Sequence, residues 1–302
     1  MIYNPVSTYR IQFSKDFTLI DLQKVIPYLH ELGITTIYAS PFFIAVPGSR
    51  HGYDVTSPLG INPEIGTLAQ FRTIHKKLKS LGMGWIQDIV PNHMAFSLHN
   101  PWIMDILENG SYSEYCDFFD IDWNHPDKDL RGKILLPFLG KPLDKAIDCR
   151  EIYVRWLENR FVLKYYDEAY PLNYRSYLSI LGKTKKNQLP HSLSEVIEFI
   201  ENSVHHKDKA SRARAVLSDK YNSDISIRDY IDKNLNTINE SKKLLKKLIQ
   251  IQYYLPVYWK KSRTMLNYRR FFTINGMVCL RMEQKKYSIF IIPLSAVYAT
   301  KI

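Results

Sequence analysis

The sequence is poor in cysteine. Only Cys116, Cys149 and Cys279 occur in 302 residues, an odd number with no CxxC spacing, which argues against a disulfide framework or a cysteine-based zinc site and leaves reduced thiols. Long apolar runs are missing as well. None approaches the roughly 18 to 20 residues of a membrane span, and the first residues lack the basic-then-apolar pattern of a secretory signal. The expectation is no membrane contact and a cytoplasmic location. No internal repeat is visible, and no separate ligand cluster suggests a metal. What is plentiful is apolar side chain: 45% of residues are hydrophobic and 13% aromatic, ample for the core of one large domain or two ordinary ones.

Acidic residues are the scarcer charge, 30 against 41 lysines and arginines, for a net +11. Such an excess invites a nucleic-acid reading, so its distribution matters more than its size. Between Leu181 and Arg270, 19 basic residues face 9 acidic ones. The clusters there, "GKTKK", "HHKDKASRAR" and "SKKLLKKL", lack regular aromatic interleaving. "NTINESKKLLKKLIQIQYYL" instead sets Ile238, Leu244, Leu245, Leu248 and Ile251 at helical spacing, which predicts one amphipathic helix with a lysine-rich outer face. A solvated helical face is expected there, and no nucleic-acid partner.

The first ninety residues alternate strand and helix. "STYRIQF" reads as a strand, and "TLIDLQKVIPYLHELG" as a helix with Leu22, Val25, Ile26 and Leu29 on one stripe and Gly33 as its stop. "ITTIYAS" is a short buried strand. "TLAQFRTIHKKLKSLG" opens with a capping box, Thr67 to Gln70, and closes on Gly82. "GWIQDIV" is a third strand. This alternation predicts a parallel sheet with right-handed crossovers and a site at the carboxyl ends of the strands. The connection from Pro41 to Gly66 is long enough to be functional, and "RHGYDV" within it carries a ring, a histidine and an aspartate. After His93 the regular alternation stops. Aromatic-rich pieces, "SYSEYCDFFDIDW" and "YVRWLENRFVLKYYDEAYPLNYRSYL", precede the basic segment, and an inserted, mainly helical subdomain is the simplest reading.

The stretch "QDIVPNH" ends an apolar run in a cluster of polar groups. Asp88 at the end of a buried strand must be hydrogen-bonded or paired with a cation. Asn92 offers both donor and acceptor, and His93 can donate to a hydroxyl. Beside the tyrosine and aspartate of "HGYDV", these groups suit a hydroxyl-rich ligand with an aromatic stacking face. The competing reading is that Asp88 caps the next element and His93 packs as a satisfied core histidine.

A set of motifs in fixed order adds a resemblance. "TYRIQF", "YLHELGITTIYASPF", "PGSRHGYDVTSPLGINPEIG", "DIVPNHM", "NPWIMDILENG", "FFDIDW", "ILLPFLG" and "NYRRFFTING" stand as they do in maltooligosyl trehalose synthases, a branch of the α-amylase superfamily. The resemblance implies an α/β fold: an eight-stranded (β/α) TIM barrel of which this chain carries the first three units, with a long, mainly helical insertion after the third strand. The implied parts are residues 1–93 for the barrel units, 94–265 for the insertion and 266–302 for a return toward the barrel with a divergent tail. The implied reaction rearranges the reducing-end α-1,4 bond of a maltooligosaccharide to α,α-1,1, with no cofactor. Carried over by position, Tyr53 would stack on the reacting glucose, His93 would bond its hydroxyls, and Asp54 and Asn92 would belong to the same substrate-binding set. Asp88 would support the site by pairing with an arginine on the fourth strand.

The nucleophilic aspartate of such enzymes, in a stretch like "GLRIDH", and the acid/base glutamate that follows it have no counterpart here. "CLRMEQ" is not that motif, because Glu283 precedes the expected helix. The tail "KYSIFIIPLSAVYATKI" reads as one or two short apolar strands broken at Pro293, and suggests a frameshift or premature stop in a longer gene. Turnover by this chain alone is therefore not expected. The alternatives are a non-catalytic maltooligosaccharide-binding module and a nucleic-acid binder using the basic segment.

Overall fold

The computed structural model describes residues 4–135, 138–182, 190–201, 207–254 and 277–279. Two compact units divide the chain, one of Met1–Asn100 with Gly276–Ile302 and the other of Pro101–Asn275.

In the first unit, β1 (Thr8–Ile11), β2 (Thr36–Ala39) and β5 (Gly84–Gln87) form a parallel sheet in the order β1-β2-β5. Helices α1 (Leu19–Glu31) and α2 (Leu68–Ser80) are the crossovers. β3 (Phe43–Ala45), β4 (Val55–Ile61) and β6 (His93–Ala95) complete the unit, with Met277–Cys279 pairing antiparallel to β6. The helices start where local chemistry satisfies their free N–H groups. Asp21 accepts from the Thr18 backbone N–H at 3.0 Å and the Thr18 hydroxyl at 2.8 Å. In α2, Thr67 and Gln70 exchange bonds of 2.8 and 3.2 Å as a capping box.

Leu19, Leu22, Ile26 and Leu29 of α1 and Phe71, Ile74 and Leu78 of α2 are buried in one cluster with Ile11, Ile37 and Ala39. Each fully buried aliphatic side chain here contributes on the order of 1.5–3 kcal/mol relative to exposure. Pro27 lies inside α1 and, lacking an N–H, leaves the Gln23 carbonyl without its usual helical donor. Lys77 of α2 supplies one: its Nζ donates to Gln23 O at 3.2 Å. A helix defect thus becomes a tie between the two crossovers.

The register sets Arg10 beside Tyr38 and Tyr38 beside Ile86. Side chains alternate in a strand, so these three share the face opposite the buried Ile37. Arg10 is exposed, while Tyr38 and Ile86 are half-buried. The long connection is also more ordered than its sequence suggests. β3 and β4 pair antiparallel within it, with register shifts around Ile44. Pro58 sits in β4 at an exposed position, consistent with an edge strand.

Asp21 gives a prediction. Hydrogen bonds from the Thr18 backbone, Lys24 and the Thr18 hydroxyl hold its carboxyl at about 2, down from an ordinary 3.8. A depressed carboxyl stabilises the fold above its ordinary value, and that contribution is lost as pH falls toward the folded value. In Asp21→Asn, urea midpoints should decline less steeply than in the wild type as pH falls from 3.8 to about 2. Equal slopes would show that Asp21 is not linked to folding.

The second unit holds α3 (Pro101–Asn109), β7 (Ile134–Leu135), α4 (Leu143–Asp148), β8 (Ile152–Leu157), β9 (Arg160–Tyr165), β10 (Glu168–Pro171) and five helices. These are α5 (Tyr174–Leu181), α6 (His191–Glu201), α7 (Lys207–Ser223), α8 (Ile225–Glu240) and α9 (Lys242–Gln252), followed by β11 (Tyr253–Tyr254). It is less purely helical than expected. The aromatic-rich stretch after Glu151 is an antiparallel meander in the order β10-β9-β8. Its first turn is made by Glu158 and Asn159, both left-handed with φ of 48° and 62°, the backbone pattern of a two-residue hairpin.

The segment expected to be one helix is two, because Ser241 is extended at φ −104°, ψ 103° and caps α9. Leu245, Leu248 and Ile249 are buried in α9, while Ile238 belongs to α8. The lysine-rich face is exposed at Lys242, Lys243 and Lys247, and two of its lysines pair with surface carboxylates: Lys242 with Asp148 at 2.7 Å and Lys246 with Asp144 at 2.9 Å. "NYRRFFTING" and the apolar tail both lie outside the described residues. No helix among the described residues is long and apolar enough to cross a membrane.

Candidate functional site

The site is built at the carboxyl ends of β1, β2 and β5. Asp88 follows β5 directly, and its backbone N–H still bonds Ala39 O at 2.9 Å. Its position is therefore fixed by the sheet. Gln87 braces the same strand end, donating to Ser40 O at 3.0 Å and Asp88 O at 2.8 Å while accepting from Trp85 at 3.2 Å.

Tyr53 arrives from the connection before β4, which is held by its own polar groups. Gly48 N–H donates to both Glu64 carboxylate oxygens at 3.1 and 3.0 Å. Ser49 bonds Asp54 and accepts from Gly52 N–H. From β1's end, Gln12 reaches the carbonyls of Arg50 and His51 at 3.4 and 3.3 Å.

Three side chains then converge. The Tyr53 phenol donates to Asp88 Oδ2 at 2.6 Å and accepts from Arg10 Nη2 at 3.0 Å. Arg10 Nη1 lies 3.4 Å from the same carboxylate oxygen. Donation to Asp88, followed by partial burial, raises the Tyr53 phenol above its ordinary ionisation range, while Arg10 opposes the rise. The phenol is therefore a neutral donor at physiological pH. The cation beside Asp88 in this chain is Arg10 from the first strand.

His93 faces an acceptor oxygen on each side. Its Nε2 lies 3.2 Å from the Tyr53 carbonyl oxygen and its Nδ1 3.2 Å from Asn92 Oδ1. Both oxygens only accept, so a neutral imidazole donates to one of them at a time. To donate to a ligand hydroxyl, His93 must exchange that bond. The structure thus brings Tyr53, Asp88, His93 and Asn92 together, whereas Asp54 is turned onto Ser49, with His51 Nδ1 3.7 Å away. His51 belongs to the "RHGYDV" stretch already singled out, and Arg10 and Gln12 are the contributors not picked out from sequence. Their signal was the alternation of "TYRIQF", which puts Arg10 and Gln12 on one face. Among the described residues, no group of three or more His, Cys, Asp or Glu is arranged to hold a metal ion. Cys116 and Cys149 are free thiols.

Residues 16–149 match the alpha-amylase family, described as the alpha amylase catalytic domain. A putative maltooligosyl trehalose synthase of Mycobacterium tuberculosis (strain ATCC 25618 / H37Rv) is 40% identical over 153 residues, 48% of this chain and 20% of that protein. An intracellular maltogenic amylase of Bacillus subtilis (strain 168) is 37% identical over 109 residues, 35% of this chain and 18% of its own length. The solved DSM5389 glycosyltrehalose synthase covers far more: 91% of this chain and 29% of its own, at 31% identity and a TM-score of 0.57. The likeness to the synthase runs well beyond the amylase-matched residues. This chain resembles the N-terminal part of maltooligosyl trehalose synthases. The solved hypothetical maltooligosyl trehalose synthase of Sulfolobus tokodaii agrees, covering 92% of this chain and 28% of its own at 27% identity and a TM-score of 0.54. The chain spans under a third of the length of each of these synthases.

Proposed function

We propose that this chain carries one wall of a maltooligosaccharide pocket of the synthase type, built on the first three units of an incomplete (β/α) barrel with an insertion after the third strand. It binds the sugar and does not turn it over. The observation that carries this reading is the Tyr53 ring held at its hydroxyl by Asp88 and Arg10, beside His93, at the carboxyl ends of parallel strands, where such folds place ligands. A ring anchored in this way is a rigid stacking face, and its immobilisation precedes binding. His93 can offer a ring N–H to a sugar hydroxyl, Asn92 flanks the imidazole, and Asp54 shapes the turn that delivers Tyr53. Asp88 is spoken for by Tyr53 and Arg10, which disfavours it as a nucleophile.

Isothermal titration with maltopentaose tests the reading. The wild-type chain should bind saturably, Tyr53→Ala should weaken binding by about tenfold or more through lost stacking, and His93→Ala by several-fold. Binding that is indifferent to both changes would remove the pocket assignment. The pairing of Lys242 and Lys246 with carboxylates weakens a nucleic-acid reading, which would also require affinity that falls steeply with salt.

A further inference from the structure

The sugar reading places Tyr53 and His93 against the ligand, and Arg10 touches the Tyr53 hydroxyl and Asp88 behind them. We propose that Arg10 is a positioning residue of this pocket, setting the Tyr53 ring against the Asp88 carboxylate from the first strand before any sugar arrives. The proposal rests on the sugar-pocket reading. Its geometry is a closed ring of contacts among three side chains from separate stretches of chain: Arg10 to Tyr53 at 3.0 Å, Tyr53 to Asp88 at 2.6 Å, and Arg10 to Asp88 at 3.4 Å. The single phenol proton goes to Asp88, so Arg10 occupies a lone pair of the phenol oxygen. Rotation of the tyrosine hydroxyl and tilt of its ring are thereby limited from two directions.

The guanidinium is itself fixed, lying over the Tyr38 ring at 4.7 Å from the centroid. A planar fork can bridge two acceptors while stacked in this way, whereas a lysine ammonium presents a point charge. The shorter contact is to Tyr53, so Arg10 acts chiefly through that residue. The bland alternative is that Asp88 alone orients Tyr53 and that Arg10 is an incidental surface cation.

The full chain and its R10Q, R10K, Y53F and R10Q/Y53F variants separate these accounts, each checked for an unchanged fold by circular dichroism. In maltopentaose titrations, R10Q should weaken binding about tenfold or more, the range expected for loss of a charged hydrogen bond, and R10K should recover part of the loss. Y53F keeps the ring and removes the hydroxyl, so it should match R10Q, and the double variant should be no weaker than either single one. A second readout is independent of sugar. Since Arg10 opposes the upward shift of the Tyr53 phenol, R10Q should move the Tyr53 ¹³Cζ titration to higher pH, with Y53F assigning the signal.

Wild-type binding with unchanged R10Q affinity, or losses that add in the double variant, would overturn the positioning role and leave the pocket standing. An unmoved Tyr53 titration in R10Q would overturn the role on its own. Failure of the wild type to bind would remove the pocket reading, and this proposal with it.

Discussion

Gly52→Ala is expected to destabilise the protein by about 3 kcal/mol or more and to abolish maltopentaose binding. Gly52 is buried and left-handed, with φ +71°, and a Cβ there would stand 2.4 Å from the Pro41 carbonyl oxygen and 3.2 Å from its carbon. Left-handed backbone alone costs an L-residue roughly 1–2 kcal/mol. The contact adds to this because both partners are main chain, so no rotamer change relieves it. The only relief is movement of the turn that delivers Tyr53, whose amide bonds His51 at 3.0 Å and whose hydroxyl must reach Asp88. Gly48 supplies the control. It has a similar φ of +78°, but a Cβ there meets nothing within 4 Å, so Gly48→Ala should cost only the backbone term. Urea unfolding and calorimetry on both variants check the contrast, and equal stabilities would refute the steric account.

Elements with a clean period were legible in the sequence. The stripe of α1 and the Thr67–Gln70 box of α2 appear as their spacing implied, since both depend on neighbours within one or two turns. The β8–β9 hairpin was less legible because its turn uses Glu158 and Asn159 without a glycine, and its aromatic residues serve a strand as well as a helix. The break at Ser241 is hidden in the same way: the apolar spacing continues across it, and only the extended Ser241 backbone reveals two helices.

In the candidate site, Asp88, Asn92 and His93 were legible because they are polar groups within six residues at the end of an apolar run. Tyr53 stood out through its neighbours in "RHGYDV". Arg10 was not legible. Its partnership with Asp88 depends on the parallel register of β1, β2 and β5, in which Arg10 aligns with Tyr38 and Ile86, two residues before Asp88. Such a contact, 78 residues apart in sequence, leaves no local pattern. The contact of Asp54 was hidden for a different reason, because a short polar turn can bond its own carboxylate and does so here through Ser49.

Incubated with maltopentaose at neutral pH, this chain should form no trehalose-capped product above a protein-free control. Retaining rearrangement of a glycosidic bond needs a carboxylate that attacks the anomeric carbon and a second carboxyl group that protonates the departing oxygen, about 5–5.5 Å apart. The sequence contains no counterpart of the stretch that bears the nucleophile, and the site's own carboxylates are engaged elsewhere. Asp88 Oδ2 receives both Tyr53 and Arg10, and Asp54 holds Ser49. Loss of a nucleophile that forms the covalent intermediate typically lowers kcat by about four to six orders of magnitude, which places turnover below detection. Chromatography of the product mixture over a day is a sufficient assay. Product that appears and then vanishes in His93→Ala would mean that another carboxylate of this chain attacks the sugar, since His93 touches the pocket without supplying a nucleophile. Product that survives in His93→Ala would instead point to a contaminating enzyme.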